Sequence, residues 1–112
     1  MEWIVLLHEE FMPEFLAFSL GVQDAILAAA GALQAEGPTL GRPLIDTLKG
    51  SAFSNMKEIR IGAGGAWRVA FAFDPGRNAI LLVAGNKAGA NQTKFYRDLI
   101  RIADERFHSH LT

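Results

Sequence analysis

Hydrophobic and polar positions in the first third of the chain change from a strand-like to a helix-like period. The apolar run Trp3–Leu7 has the length and composition of a buried strand. From Glu10 to about Gln34 the apolar spacing becomes helical, and Gly21, which interrupts it, is predicted to be a C-cap. The stretch therefore predicts a hairpin of two helices, the second over about Val22–Ala35. One face of the first helix is aromatic and should be core: Phe11, Phe15 and Phe18.

The second half of the chain contains three strand-like runs separated by turn residues. The runs are Asn55–Ile61, Ala66–Phe73 and the fully apolar Ala79–Ala84, which we expect inside the sheet. Gly62–Gly65 supplies glycines suited to a hairpin turn, and Asp74–Asn78 has the composition of a second turn.

Two further segments complete the predicted order β-α-α-β-β-β-α. Thr39–Ser54 is expected to be a loop, in which Leu44–Leu48 could form one short helical turn. Helical spacing resumes over about Gln92–Phe107. At this length we expect one domain over residues 1–112.

Alternation along the strands predicts which side chains share a face. In the second run the large apolar residues should cover the helices, leaving Arg68 on a face otherwise made of alanines. That arrangement would leave space around Arg68, as in a concave site. Glu58 and Arg60 share a face of the preceding run. An ion pair between Arg68 and Glu58 across the hairpin is the structural alternative, and the two interpretations are compatible.

Charge is distributed unevenly along a chain whose net charge is only −1. Residues 1–41 contain six acidic residues and no Lys or Arg, whereas residues 42–112 contain all eleven basic residues and six acidic ones. The split predicts either an anion-binding surface in the C-terminal half or an acidic helical layer that neutralises a basic sheet. Arg42 and Lys49 lie in the loop and are further candidates for binding.

Composition and missing motifs exclude several functional classes. The chain has no Cys, so disulfides, thiol nucleophiles and Cys-based metal sites are excluded. It shows no signal-peptide pattern, and its apolar runs are far shorter than the roughly 20 residues that span a bilayer. We expect a soluble, cytoplasmic protein. Phosphate-binding, zinc-protease and serine-hydrolase motifs are missing, and neither a cofactor nor a metal is expected, although His108 and His110 lie close together.

The chain resembles the RelE/ParE superfamily of bacterial toxins, specifically the HigB-like, phage-derived branch of type II toxin–antitoxin modules. The resemblance extends from Glu2 to Leu111 and is carried by the helical hairpin and six ordered blocks: GRPLIDTLKGS, NMKEIRI, AWRVAFAFDP, AILLVAGNKAG, FYRDLI and ADERFHSHL. It implies an α+β fold in which a two-helix hairpin packs on one face of a small, twisted, mainly antiparallel sheet. The other face should form an open, basic, concave surface.

The resemblance also implies a reaction and a set of residues. Members of the superfamily are typically ribosome-dependent mRNA endonucleases that need no metal, because the 2′-hydroxyl beside the scissile phosphate attacks it. The positions that match the catalytic set are Arg60, Arg68, Lys87 and Tyr96, with Glu58 as a general base or a partner of Arg68. Arginine suits this chemistry because its fork matches phosphate oxygens. RNA-binding roles are expected for Lys49, Lys57, Lys94 and Arg97.

The chain departs from the family pattern at three points. Glu58 stands where RelE proper has a second lysine on the same strand. The cation expected shortly after Lys87 is missing, and Lys94 or Arg97 would have to replace it. The catalytic histidine of some HigB members has no counterpart here, since His108 and His110 lie near the C-terminus.

The partners implied are a cognate antitoxin of helix-turn-helix type, the ribosome and mRNA, with operator DNA reached only through the antitoxin and no membrane. Two other functions stay open. One is a ParE-like inhibitor of DNA gyrase, and the other is a member without catalytic activity that only binds its antitoxin.

Overall fold

In a computed structural model, which describes residues 2–112, a five-stranded sheet separates two helical layers. The strands are β1 (Ile4–Leu7), β2 (Ile45–Thr47), β3 (Lys57–Ile61), β4 (Trp67–Phe73) and β5 (Asn78–Asn86). Their order across the sheet is β1-β5-β4-β3-β2. Only β1 and β5 are parallel among the pairs of this part of the chain. The predicted α+β fold with a mainly antiparallel sheet is confirmed.

Three α-helices accompany the sheet over residues 2–112: α1 (Phe11–Ala17), α2 (Leu20–Glu36) and α3 (Gln92–Leu111). The prediction that Gly21 caps the first helix is wrong, because α2 begins before it and the break lies at Ser19. The Ser19 hydroxyl accepts a hydrogen bond of 3.3 Å from the backbone N–H three residues on, as a helix N-cap does.

The two helical layers occupy opposite faces of the sheet. The α1–α2 hairpin packs against the apolar face of β3 and β4, and α3 packs against the other face. Ala70 and Ala72 are fully buried in the layer beneath α3. The expectation of open space above these small residues is therefore wrong over most of this face. The space is filled by α3, whose buried side includes Leu99, Ala103 and Phe107.

The segment predicted as a loop with a possible helical turn contains β2 instead. Ile45 lies opposite Ile59 in an antiparallel ladder and is 2% exposed. The alternation of Ile45, Asp46 and Thr47 fits a strand once β3 offers an unpaired edge, so tertiary pairing decides the local structure. Since β2 is only three residues long, it leaves the end of β3 at Arg60 and Ile61 without a neighbouring strand on that side.

No helix in residues 2–112 combines the length and the apolar character required to cross a membrane.

Candidate functional site

An open cleft of about 400 Å³ lies where β2 and β3 meet the end of β5 and the start of α3. It exists because α3 begins only at Gln92, after a loop that follows Lys87, so the helix leaves this corner of the sheet uncovered. Ten side chains line it: Arg42, Asp46, Thr47, Leu48, Lys49, Glu58, Arg60, Lys87, Gln92 and Tyr96. Four of these residues are cationic and two are acidic, so the formal charge of the lining is +2.

Glu58 is the buried charged group of the cleft, with 4% of its surface exposed. Strand alternation turns it towards α3, where the Tyr96 hydroxyl donates a hydrogen bond of 2.9 Å to Glu58 Oε1. Arg60 Nε lies 3.5 Å from Oε2, and Arg68 Nε lies 3.8 Å from Oε1. A buried carboxylate is costly unless it has such partners. Each Glu58 oxygen therefore faces a separate set of donors or cations.

The two arginines lie directly opposite each other in the β3–β4 ladder. Like charges at directly opposed positions destabilise a sheet, and Glu58, two residues before Arg60, compensates both. Arg68 is 14% exposed, and its Nη1 donates to the Trp67 carbonyl at 2.9 Å. Its Nε is buried and has no hydrogen-bond partner among residues 2–112. Arg68 therefore lies behind Glu58, and it does not line the cleft.

Tyr96 is positioned by the start of α3. The Asn91 side chain accepts a hydrogen bond of 2.9 Å from the Lys94 backbone N–H, which fixes the first turn of the helix. Burial raises the pKa of the Tyr96 phenol, and the hydrogen bond to Glu58 raises the pKa further, while Arg68 opposes this effect. The Tyr96 hydroxyl therefore remains protonated at neutral pH and can act as a donor.

Two more charged groups shape the cleft. Lys87 Nζ lies 5.5 Å from the centroid of the Tyr96 ring, within the range of a cation–π contact. Asp46 Oδ2 lies 3.1 Å from Arg42 Nη2 and 3.4 Å from Arg60 Nη2. The hydrogen bond from Arg42 lowers the pKa of Asp46, with a further contribution from the Thr47 backbone. The Asp46 carboxylate thus lies between the guanidinium groups of Arg42 and Arg60.

The cleft brings together five of the nine residues predicted from the sequence, and Arg68 lies directly behind them. Those at the cleft are Lys49, Glu58, Arg60, Lys87 and Tyr96.

The other three predicted residues lie away from the cleft. Lys57 follows the strand alternation to the opposite face of β3. Lys94 Nζ pairs with Asp98 at 2.8 Å, and Arg97 Nε lies 4.0 Å from the same carboxylate, on an exposed side of α3. Sequence reasoning missed Asp46, because its strand forms only through pairing with the edge of β3.

The chain contains three histidines, and none of them lines the cleft. His110 Nε2 lies 2.7 Å from Asp74 Oδ2 and so connects the end of α3 to the turn between β4 and β5. Within residues 2–112, no three His, Cys, Asp or Glu side chains lie close enough together to hold a metal ion.

Comparisons with known proteins identify relatives by sequence and by structure. A family described as phage-derived, Gp49-like proteins matches residues 13–108. The proposed toxin HigB2 of Mycobacterium tuberculosis is 51% identical over 90 residues, which are 79% of this chain and 44% of HigB2. The proposed toxin HigB3 of the same organism is 48% identical over 92 residues, which are 82% of this chain and 79% of HigB3. The chain thus spans less than half the length of HigB2.

Two solved structures of the Escherichia coli toxin RelE share the fold. A variant of RelE in the free state has a TM-score of 0.66 at 11% identity, covering 90% of this chain and 96% of RelE. Isolated RelE has a TM-score of 0.61 at 13% identity, covering 88% and 96%. At these identities the likeness is evidence for the fold alone.

Proposed function

Because this chain belongs to the phage-derived Gp49-like family, within the HigB-like branch of the RelE/ParE superfamily, we propose that it is the toxin of a type II toxin–antitoxin module. In this proposal it is a metal-independent endonuclease that cleaves mRNA on the ribosome in the cytoplasm and is inhibited by a cognate antitoxin. The observation that supports it best is the convergence of a buried carboxylate, a phenol and several cations in one open cleft.

The cleft offers a group for each step of phosphodiester cleavage. Glu58 accepts the proton of the 2′-hydroxyl, and the 2′-oxygen attacks the adjacent phosphorus. Arg60 and Lys87 stabilise the extra negative charge that develops on the phosphate oxygens. The bond from phosphorus to the 5′-oxygen then breaks, leaving a 2′,3′-cyclic phosphate. Tyr96, which stays protonated at neutral pH, donates a proton to the departing 5′-oxygen.

The hydrogen bond between Tyr96 and Glu58 connects the two proton transfers. After the reaction Glu58 carries the proton taken from the 2′-hydroxyl, and Tyr96 has lost its own. At 2.9 Å the Glu58 carboxyl can return that proton to the phenolate, which restores both groups without an outside donor. Arg68 acts as a positioning residue in this scheme, since it contacts Glu58 from behind and does not line the cleft.

The test is controlled expression of the chain with and without its antitoxin, combined with mapping of mRNA ends. Growth arrest accompanied by mRNA cleavage is expected for the wild type, and Tyr96→Phe and Glu58→Gln should retain the fold but lose cleavage. Each catalytic proton transfer typically contributes about 10²–10⁴-fold to the rate. Arg101→Ala is a matched control, because Arg101 pairs with Glu105 on α3 and does not line the cleft. Growth arrest with intact mRNA and trapped gyrase–DNA complexes would instead establish a gyrase inhibitor.

A second candidate is a member that binds its antitoxin without cleaving RNA. It is favoured by one observation, that no histidine lies in the cleft lining. Retained complex formation without toxicity or mRNA cleavage by the wild-type chain would identify this case.

A further inference from the structure

A second groove, also of about 400 Å³, adjoins the cleft at the outer edge of β3. It lies between α2 and the end of β3, where β2 no longer runs alongside. Its lining is almost entirely small or aliphatic: Ala25, Ala28, Ala29, Leu44, Arg60, Ile61 and Gly62.

The groove has a local structural cause. Three of the lining residues are alanines on one side of α2, and their short side chains leave a space that larger residues would fill. The Arg60 backbone N–H donates to the Leu44 carbonyl at 2.8 Å, which holds the turn just before β2 against β3 and forms the opposite wall. Ala28 is exposed although it lines this concave surface.

Arg60 lines both the cleft and the groove. It is the one charged residue of the groove lining in the described part of the chain. Its side chain is 40% exposed, so its guanidinium is accessible to solvent at the junction of the two spaces. An elongated ligand with an anion at Arg60 would therefore extend into the cleft on one side and into an apolar groove on the other.

A nucleic acid strand fits this combination of an anion site and an apolar groove, because it carries anionic phosphates next to bases with flat, apolar faces. We propose that the groove is a subsite for the base of the nucleotide that adjoins the scissile phosphate, with Arg60 shared between the two. The proposal rests on the proposed function, because it takes the strand in the cleft to be RNA. The alanine-rich wall provides contact area without side-chain hydrogen-bond groups, so it should recognise the size of the base more than its identity.

The test fills the groove without touching the cleft. Ala28→Leu adds bulk to an exposed position of the groove wall, and Ala35→Leu adds the same bulk to an exposed position of the same helix outside the groove. In a ribosome-dependent mRNA cleavage assay, Ala28→Leu should lower kcat/KM about tenfold, the lower end of what a small change in the size of an apolar pocket causes. The Ala35→Leu control should stay within about twofold of the wild type. Equal thermal stability of the variants excludes a folding defect.

A second measurement does not depend on cleavage. The alanine methyl resonances of the protein can be followed by NMR during titration with 2′-O-methyl ApApA, which cannot be cleaved, and with the 2′-O-methyl mononucleotide. The trinucleotide should shift the methyl groups of Ala25, Ala28 and Ala29, and the mononucleotide should not.

The outcomes separate this inference from the proposed function. If the wild type cleaves mRNA but Ala28→Leu cleaves equally well, the subsite is refuted and the nuclease stands. If the wild type does not cleave mRNA, the proposed function fails. The NMR titration then decides on the subsite, which is refuted if the trinucleotide does not shift the alanine methyl resonances. Loss of antitoxin binding by Ala28→Leu with unchanged cleavage would show that the groove binds protein.

Discussion

Replacing Glu58 with Ala should destabilise the protein strongly, because it removes the carboxylate between two opposed arginines. In the wild type Arg68 is 14% exposed, and its buried Nε has no hydrogen-bond partner among residues 2–112, so the variant would leave this cation without its carboxylate. Removing one partner of a buried ion pair costs about 3–5 kcal/mol. Loss of the ion pair between Glu58 and Arg60 costs less, below about 1 kcal/mol, because the Arg60 side chain is 40% exposed and solvent screens its charge.

The expected total is therefore about 3–5 kcal/mol, most of it from Arg68. For a domain of this size each kcal/mol lowers Tm by about 4 °C, so Glu58→Ala should melt about 12–20 °C below the wild type. Urea unfolding monitored by circular dichroism measures the free energy directly, and the slope with denaturant should stay unchanged if both proteins unfold in two states.

Two further variants test the reason for the loss. Glu58→Gln keeps the shape and an acceptor for Tyr96 but removes the charge, so it should lose less stability than Glu58→Ala. The double variant Glu58→Leu with Arg68→Leu removes both charges, and replacing a buried pair with apolar residues is often neutral. It should therefore be more stable than the sum of its single variants predicts. An unfolding free energy of Glu58→Ala within about 0.5 kcal/mol of the wild type, or strict additivity in the double variant, would refute the reasoning.

Three other predictions concern the rest of the molecule. Arg106 donates hydrogen bonds of 2.9 and 2.6 Å to Glu14. Arg106→Ala should lower the free energy of unfolding by about 1–2 kcal/mol, measured with urea at pH 7. The loss is smaller than for a fully buried pair because Glu14 is 42% exposed. The hydrogen bond from Arg106 lowers the pKa of Glu14. The stabilisation by this ion pair is therefore complete above the ordinary Glu pKa, and it should vanish as the pH falls through the lowered pKa of Glu14. If Arg106→Ala lost as much stability in strong acid as at pH 7, this explanation would be contradicted. Gly37 has a φ of +58°, and a Cβ there would overlap the Trp3 indole. Gly37→Ala should therefore lower the unfolding free energy by more than about 1 kcal/mol, and no loss would contradict both the backbone strain and the overlap. Tyr96 is the single tyrosine, so near-ultraviolet absorbance should show one phenol that titrates above the ordinary tyrosine pKa of 10.0. A titration midpoint at or below 10.0 would contradict the burial of the hydroxyl.

Much of the fold follows from local sequence signals. Apolar runs bounded by glycine, proline and aspartate specify the long strands, and helical periodicity specifies the helices, because both patterns act over a few residues. The strand β2 could not be found this way. Its three residues adopt strand geometry only because β3 presents an unpaired edge, and that edge exists only in the folded sheet.

The candidate site was only partly predictable for a similar reason. Alternation places Glu58, Arg60 and Arg68 on one side of their strands, but the pairing register, set by the hairpin turn, brings the two arginines directly opposite each other. The contact from Tyr96 to Glu58 joins residues 38 positions apart and depends on how α3 docks on the sheet. By contrast, the pairing of Lys94 with Asp98 is an i, i+4 contact that the sequence alone could have indicated.

The features that stability alone does not explain are concentrated around one carboxylate. Elsewhere the apolar residues of the sheet and helices fill two cores, as their patterns predict. Around Glu58 the chain buries an acid, opposes two arginines and leaves a buried guanidinium nitrogen unsatisfied among residues 2–112. An apolar cluster there would be at least as stable. Local conflicts of this kind are expected at functional sites, where geometry for chemistry takes precedence over packing. If the double leucine variant keeps wild-type stability and loses activity, the ionic cluster serves the reaction and is not required by the fold.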